Sequence, residues 1–393
     1  MGNNHFDYAI IGAGAAGLHL VMAMIQDEYF DKKKIVILEK SNKNTNDRTW
    51  SFWEKKLGKW DDILHHSWQY GSFYSDDVMK EMDLKEYRYK TLRSSKFYEH
   101  AKKLINNAPN VFWQKQEVIR IEENVDQGAK VICGQAQYKA HHVFDSRIDN
   151  DFFEEKDEYT RILQHFKGWF IQTNEKVFDP SKFTMMDFRL RWKDQTSFIY
   201  VLPFSETEAM IEFTLFTDEL IEDKDYEEKL KQYIHEFLKI KDYKIIEKEK
   251  GVIPMTDFPF YKKNKKSVTK IGTAGGWVKP SSGYAFKNCE RYSYKLIENI
   301  KANKKPSASL FHSRYRWYDA LLLDILKNKN ELITSLFSMM FKKNSIQEIF
   351  TFLDDEGSLK SDLKIIKSFD PFPFLAALIR KYHPKNIFKS KIH

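Results

Sequence analysis

An α/β fold is predicted for this 393-residue chain, in three parts: a Rossmann-like dinucleotide-binding unit, an antiparallel-sheet lobe and a helical C-terminal region. Three patterns predict it. A strand–glycine–helix–strand–acid register opens the chain, alternating apolar strands fill its middle, and helical apolar clusters follow residue 306. The length exceeds the ~250–300 residues at which single cores stop growing, so two lobes should share one ligand.

The first register is specific because of its context. The apolar run Tyr8 to Ile11 leads directly into Gly12, Gly14 and Gly17, and a helix should start there. In that arrangement Gly12 permits the tight turn, Gly14 lets a pyrophosphate approach the backbone, and Gly17 lets the helix pack closely on the strand. A second strand, Lys34 to Leu38, ends at Glu39, whose carboxylate is placed to accept hydrogen bonds from an adenosine ribose. A second glycine-rich signature, Ile271 to Phe286, comes late in the chain, and the two together outline a flavin site. Between them, His142-Val-Phe-Asp-Ser-Arg147 reads as a short strand ending in an acidic turn, the way two-dinucleotide-binding flavoproteins return to their cofactor.

The remaining elements follow in order. Phe97 to Leu104 reads as a helix, and 111–113, 118–121 and 130–133 as strands. From Trp169 to Pro259 the pattern is long alternation, at 184–190, 198–204 and 208–216, which predicts an antiparallel sheet. One amphipathic helix interrupts it, with Leu230, Tyr233, Ile234, Phe237 and Leu238 at helical spacing as core. The expected division is therefore a dinucleotide-binding domain over 1–168 with 268–300 returning to it, a substrate domain over 169–267, and a helical region over 301–393.

Composition narrows the partners. The formal charge is +8, but 64 basic residues are scattered among 56 acidic ones and form no nucleic-acid reading motif, so no nucleic acid is expected. Cys133 and Cys289 match neither a disulfide framework nor a metal spacing, so no metal site is expected. No signal-peptide pattern opens the chain and no run of ~18 apolar residues occurs, which points to the cytoplasm. The segment Phe369 to Ile379 is followed by Arg380, Lys381, Lys385, Lys389 and Lys391 with no acid among them. Basic residues beside apolar ones can dock on anionic lipid, so a peripheral contact with the inner face of the cell membrane is expected. The 31 phenylalanines exceed what a compact core needs and suit a pocket for a long apolar ligand.

Several blocks carry a family resemblance. They are Gly12-Ala-Gly-Ala-Ala-Gly-Leu18, Asn46-Asp-Arg-Thr-Trp-Ser-Phe-Trp-Glu54, Val143-Phe-Asp-Ser-Arg147, Tyr200-Val-Leu-Pro-Phe-Ser205, Ile211-Glu-Phe-Thr214, Ile253-Pro-Met-Thr-Asp257 and Gly272 through Phe286. With these the chain resembles the lycopene beta-cyclases, carotenoid-ring-forming flavoproteins of the bacterial type; the C-terminal quarter matches loosely, mainly at Arg316-Trp-Tyr-Asp-Ala-Leu-Leu-Leu-Asp-Ile325. The resemblance implies an FAD enzyme that works with its flavin reduced, NAD(P)H being the electron source, on an acyclic carotenoid. A proton adds to the terminal double bond, the tertiary carbocation is attacked by the neighbouring double bond, and loss of a different proton leaves the ring alkene.

Such chemistry needs an acid held against hydrocarbon, and Glu212 is the candidate catalytic residue. Strand alternation puts Met210, Glu212, Thr214 and Phe216 on one face and Ile211, Phe213 and Leu215 on the other. Desolvation on a cavity-facing sheet would raise its pKa. Phe213 stands where many relatives have a second acid. By the same match Arg48 and Asp145 are candidates for flavin contact, and either could equally be a structural ion pair. In the late signature Gly272 and Gly283 are candidate cofactor contacts, with 280–283 expected to cap a helix aimed at the flavin. Trp277, Tyr284 and the aromatics around Trp50 and Trp53 are candidate tunnel walls. A redox flavoenzyme acting on an isoprenoid, a reductase or monooxygenase, is the alternative activity, and a non-enzymatic isoprenoid carrier a further one.

Overall fold

A computed structural model describes residues 4–124, 128–154 and 159–382. The cysteines are both free and buried.

The N-terminal half builds a seven-stranded sheet. Its parallel part runs Val111–Lys115, Ile35–Glu39, His5–Ile11 and Ala136–Asp145, with Val268–Lys270 beside the last. Gly128–Cys133 and Arg120–Asn124 extend it antiparallel. Continuously buried strands such as Ile35–Glu39 are what a sheet covered on both faces requires. The helix Ala15–Ile25, almost wholly apolar, covers one face, flanked by Ser94–Asn106 and Phe286–Lys301.

The second seven-stranded sheet runs in the order Lys244–Thr256, Arg161–Gln172, Glu208–Thr217, Ser197–Pro203, Lys182–Asp187, Tyr70–Tyr74, Met79–Asp83. The expected alternating strands all belong to it, but it is mixed rather than purely antiparallel, because Lys182–Asp187 lies parallel to Tyr70–Tyr74. The strand Arg161–Gln172 runs straight through position 168, and residues 70–83 join from the N-terminal part of the chain. A three-stranded sheet, Thr49–Lys55, Tyr87–Arg93 and His66–Trp68, bridges the two large ones.

The two faces of the second sheet have separate cores. Ile199, Val201, Ile211, Phe213 and Leu215 pack against the helix Asp223–Glu236 through Leu230, Tyr233 and Ile234. Phe170, Phe198, Met210 and Phe216 face the other way, toward the C-terminal helices Ser313–Asn328, Ile333–Lys343, Ile346–Leu353, Leu359–Ile366 and Pro371–Tyr382. The Ile253-Pro-Met-Thr-Asp257 block anchors these helices to the sheet: Asp257 accepts from the Thr160 amide at 2.8 Å and pairs with Lys381. Arg380 pairs with Asp324 at 2.9 Å. These two cations, uncompensated within their own segment, are therefore engaged by acids from distant segments. Lys385, Lys389 and Lys391 lie outside the described residues. No helix among the described residues is long and apolar enough to cross a membrane.

Candidate active site

The glycine turn is built as its spacing requires. Gly12 has φ +88°, and a Cβ there would lie 2.2 Å from Ser146 Oγ. At Gly17 a Cβ would lie 2.0 Å from the Gly12 carbonyl, so helix and strand meet backbone to backbone. Gly14 is different: a Cβ would meet nothing within 4 Å. It caps the helix Ala15–Ile25 without any side-chain hydrogen bond, which leaves first-turn amides free to meet an anion. Glu39 sits at the end of the adjacent strand, its Oε2 accepting from the Ala13 amide at 2.7 Å and its Oε1 from the Ser41 amide at 2.8 Å. Burial works to raise its pKa, but these hydrogen bonds outweigh burial and hold it below the ordinary range, so it is an acceptor.

The late signature meets this turn. Gly272 has φ +61°, and a Cβ on it would come within 3.1 Å of the Ala16 Cβ. Gly283, at φ +73°, approaches Gln164 so closely that a Cβ would lie 2.2 Å from its Oε1. The following helix begins at Phe286 with Ala285 as its N-cap, so residues 280–283 form the preceding turn rather than the expected cap. Two buried polar atoms here have no hydrogen-bond partner in the described structure, Gln164 Oε1 and Ser282 Oγ. Unpartnered buried acceptors and hydroxyls beside a glycine turn are what a polar ligand would satisfy.

Next to this turn a cavity of about 480 Å³ runs between the second sheet and the C-terminal helices. Arg48, Trp50 and Ser281 to Phe286 line one end; Met340, Phe352, Phe369 and Phe374 line the other. Glu212 is on its wall, partly exposed into it, with Met210 and Phe216 beside it on the same strand face. Phe213 is fully buried on the opposite face. Burial, then the nearby charge of Glu249, push the Glu212 pKa up to about 8, opposed by a 2.8 Å hydrogen bond from the Thr214 hydroxyl. Both causes favour the neutral form of the carboxyl.

Glu249 was not foreseen. In strand register Glu212, Gly168 and Glu249 form one row across three strands, and the glycine leaves the space between the two acids free of any side chain. The Thr49 amide at 2.9 Å and the Thr49 hydroxyl at 2.6 Å hold Glu249. That contact explains part of the 46–54 block. Thr49 orients the second acid, while Trp50 packs its ring 5.2 Å from Phe286. Trp53 stacks on Phe350 at 4.4 Å and donates to Asp354 at 2.7 Å. Burial raises Asp354 to about 7.

Other candidates fall elsewhere. Asp145 is almost fully buried, and its carboxylate is committed to Arg147 at 2.9 Å and Lys270 at 3.0 Å, the ion-pair arrangement of its two readings. Arg48 lines the cavity and donates to the Asp47 carbonyl at 2.6 Å. Trp277 is buried in the core around the first helix and does not line the cavity, whereas Tyr284 does. Lys279 also lines it, pinned between Asp319 at 3.1 Å and Asp355 at 2.6 Å. Among the described residues, no group of three or more His, Cys, Asp or Glu could hold a metal ion.

Comparisons with known proteins agree with this architecture. The chain is 26% identical over 309 residues to a chloroplastic neoxanthin synthase of Solanum tuberosum, covering 72% of this chain and 58% of that protein. The Solanum lycopersicum neoxanthin synthase gives 26% over 305 residues, with 71% and 57% covered. The chain thus spans a little over half the length of these relatives. Among solved structures it is similar to a flavin-dependent brominase, with TM-score 0.62 at 13% identity and 98% and 100% of the two chains covered. It is similar also to a geranylgeranyl bacteriochlorophyll reductase-like protein of Thermoplasma acidophilum, with TM-score 0.57 at 14% identity and 98% of each covered. These likenesses show the α/β flavoprotein-type fold. The model of the lycopene cyclase protein family matches residues 7–378, and the chain belongs to that family.

Proposed function

We propose that the protein is a lycopene beta-cyclase, which closes the ψ-ends of lycopene into β-ionone rings, giving β-carotene by way of γ-carotene without net electron transfer. The observation that carries the reading is Glu212, a carboxyl raised to about 8 on the wall of a cavity whose lining is mostly aromatic and aliphatic. A neutral acid against hydrocarbon can deliver a proton to an alkene, and the carboxylate it becomes lies beside the cation it has created. Thr214 fixes the orientation of the carboxyl through Oε1, and burial, aided by the charge of Glu249, keeps the proton on it until substrate arrives. The C-terminal helices exclude water, which would otherwise capture the cation.

FAD fits the residues present. The open space at Gly14, the uncapped helix start and Glu39 would hold the adenosine pyrophosphate end. Gly272, Gly283, Ser282 and Gln164 would meet the flavin end, with Arg48 as a nearby cation. Kept reduced by NAD(P)H, the flavin would supply negative charge or a proton beside the reacting double bond. Gly14→Val should fold, since its side chain meets nothing, yet fill the space meant for phosphate; retained flavin in that variant would overturn the placement.

The substrate is drawn from lipid in this reading, at the inner face of the cell membrane. Phe372, Leu375, Ile379 and Tyr382 recur along one side of the last described helix and are all exposed, Phe372 at 75%. The inward side of the same segment carries Phe369 and Phe374 to the cavity. Liposome flotation with and without residues 369–393 measures this contact; unchanged binding would reject it.

The function itself is tested by supplying lycopene in liposomes to purified, anaerobically reduced protein and resolving the pigments. A product isomeric with its substrate supports the cyclase. A product that has gained hydrogen or oxygen would instead establish a redox flavoenzyme acting on the isoprenoid.

A further inference from the structure

Directly across the strand pair from Glu212 is Tyr200. Its hydroxyl lies 2.6 Å from that of Tyr284, and the Tyr89 hydroxyl is 3.3 Å from both. All three residues line the cavity. They come from three separate parts of the chain, and their rings are held in place: Tyr89 stacks on Phe183 at 4.1 Å, and Trp53 packs edge-on to Tyr284 at 4.6 Å.

A phenol has one proton and two lone pairs. Three phenols in mutual contact can spend all three protons on one another, in a closed ring in which each donates once and accepts once. What remains at each oxygen is a lone pair, with no proton left over to point at a ligand. Burial raises all three pKa values, so the group stays un-ionised and offers fixed dipoles rather than charge. Hydroxyls that donate to each other polarise cooperatively, which deepens the negative potential at the oxygens. Lys279, one of the two cations in the cavity lining, is neutralised by two aspartates.

We propose that the hydroxyl ring of Tyr89, Tyr200 and Tyr284 is a cation-stabilising site that holds the ring-closing carbocation beside Glu212. The inference rests on the cyclase reading and adds to it where on the cavity wall the charge develops. In the step it serves, the Glu212 O–H bond breaks as its proton bonds to the terminal double bond, the neighbouring double bond closes the carbon–carbon bond, and a different proton leaves the new ring to the Glu212 carboxylate, restoring the acid. The tyrosines form and break no bond; their hydroxyl lone pairs face positive charge throughout. Their placement one strand from the acid means that the cation is born against them.

The test uses Tyr200→Phe and Tyr284→Phe, each of which keeps the ring and opens the hydroxyl circuit, with Tyr226→Phe as control. Tyr226 is a buried tyrosine bonded to His165 outside the cavity. Both cavity variants should keep wild-type flavin content and melting temperature while cyclising lycopene on the order of ten- to hundredfold more slowly. Water should then capture more of the poorly held cation, raising the share of hydrated acyclic product. A second measurement survives loss of activity. A long-chain isoprenoid tertiary ammonium should bind wild type better than its uncharged isostere, and the variants should lose that preference. Variants that cyclise within twofold of wild type, that retain the ammonium preference, or that are matched by Tyr226→Phe would overturn the proposal. If wild type forms no cyclised product at all, the cyclase reading falls and takes this role with it; variant-specific failures leave that reading standing.

Discussion

The strand Glu208–Thr217 has two faces that act as two different solvents. On one, Ile211, Phe213 and Leu215 are sealed under the helix Asp223–Glu236. On the other, Met210, Glu212 and Phe216 face a cavity. Adjacent residues 212 and 213 therefore live under opposite rules. The packed face tolerates only hydrocarbon, while the cavity face can keep an acid, at the cost of keeping it neutral. The second acid of the site comes accordingly from another strand, as Glu249, two positions across the sheet from Glu212 rather than next to it in sequence.

The largest effect expected on either face is at Glu212. Glu212→Gln keeps size and hydrogen bonding but removes the acid, so cyclised product should fall ~10²–10⁴-fold while flavin remains bound. Near-native turnover would make Glu212 an electrostatic or positioning residue and hand the proton to another donor. In heavy water each ring formed should carry one deuterium.

The packed face should respond in stability instead. Phe213→Glu puts an unpaired carboxyl into a fully buried core and should cost several kcal/mol, roughly the 3–5 seen when buried charge is left uncompensated. Equilibrium unfolding in urea measures it. A Glu at 213 that is tolerated would mean that the two faces are less distinct than their packing indicates.

A third contrast is in pH. The folded pKa of Glu212, about 8, lies above its ordinary value near 4.5, so the folded state holds the proton more tightly than the unfolded one. Its contribution to stability is fully present below about 4.5 and is lost as pH rises toward about 8. Glu212→Gln should therefore melt higher than wild type at pH 9 and gain little at pH 5. Turnover by the wild type should be flat below about pH 8 and fall above it. The smallest shift is expected from Thr214→Val, which deletes the one hydrogen bond that lowers the Glu212 pKa. The basic limb of the rate profile should move up by at most about one pH unit, given the ~0.5–1.5 kcal/mol of a single hydrogen bond.

Legibility in the sequence follows the range of the interactions. The Gly12, Gly14 and Gly17 turn was readable because its strand, helix and acid lie within one short segment, each glycine answering a local steric demand. The face of Glu212 was readable because alternation within a strand is a property of the strand, whereas the choice of Glu212 itself came from the family resemblance of Ile211-Glu-Phe-Thr214. Phe213 could be flagged as a departure, but not explained until the helix covering it was in view. Trp277 looked like a tunnel aromatic and proved to be core, since aromatic side chains serve both purposes and only packing separates them.

By itself, then, the sequence determined the α/β class and the glycine turn, because periodicity and glycine geometry act over a few residues, and its family resemblance singled out the acid that starts the proposed chemistry. The tertiary structure alone decided which groups meet that acid. Glu249, the Tyr89–Tyr200–Tyr284 ring and the Lys279–Asp319–Asp355 cluster each join segments tens to hundreds of residues apart. Strand register sets the meeting of Glu212 with Glu249 and Tyr200, and a slip of one residue would turn these side chains to the other face of the sheet. No spacing along the chain encodes that choice; it follows from the burial of both sheet faces at once.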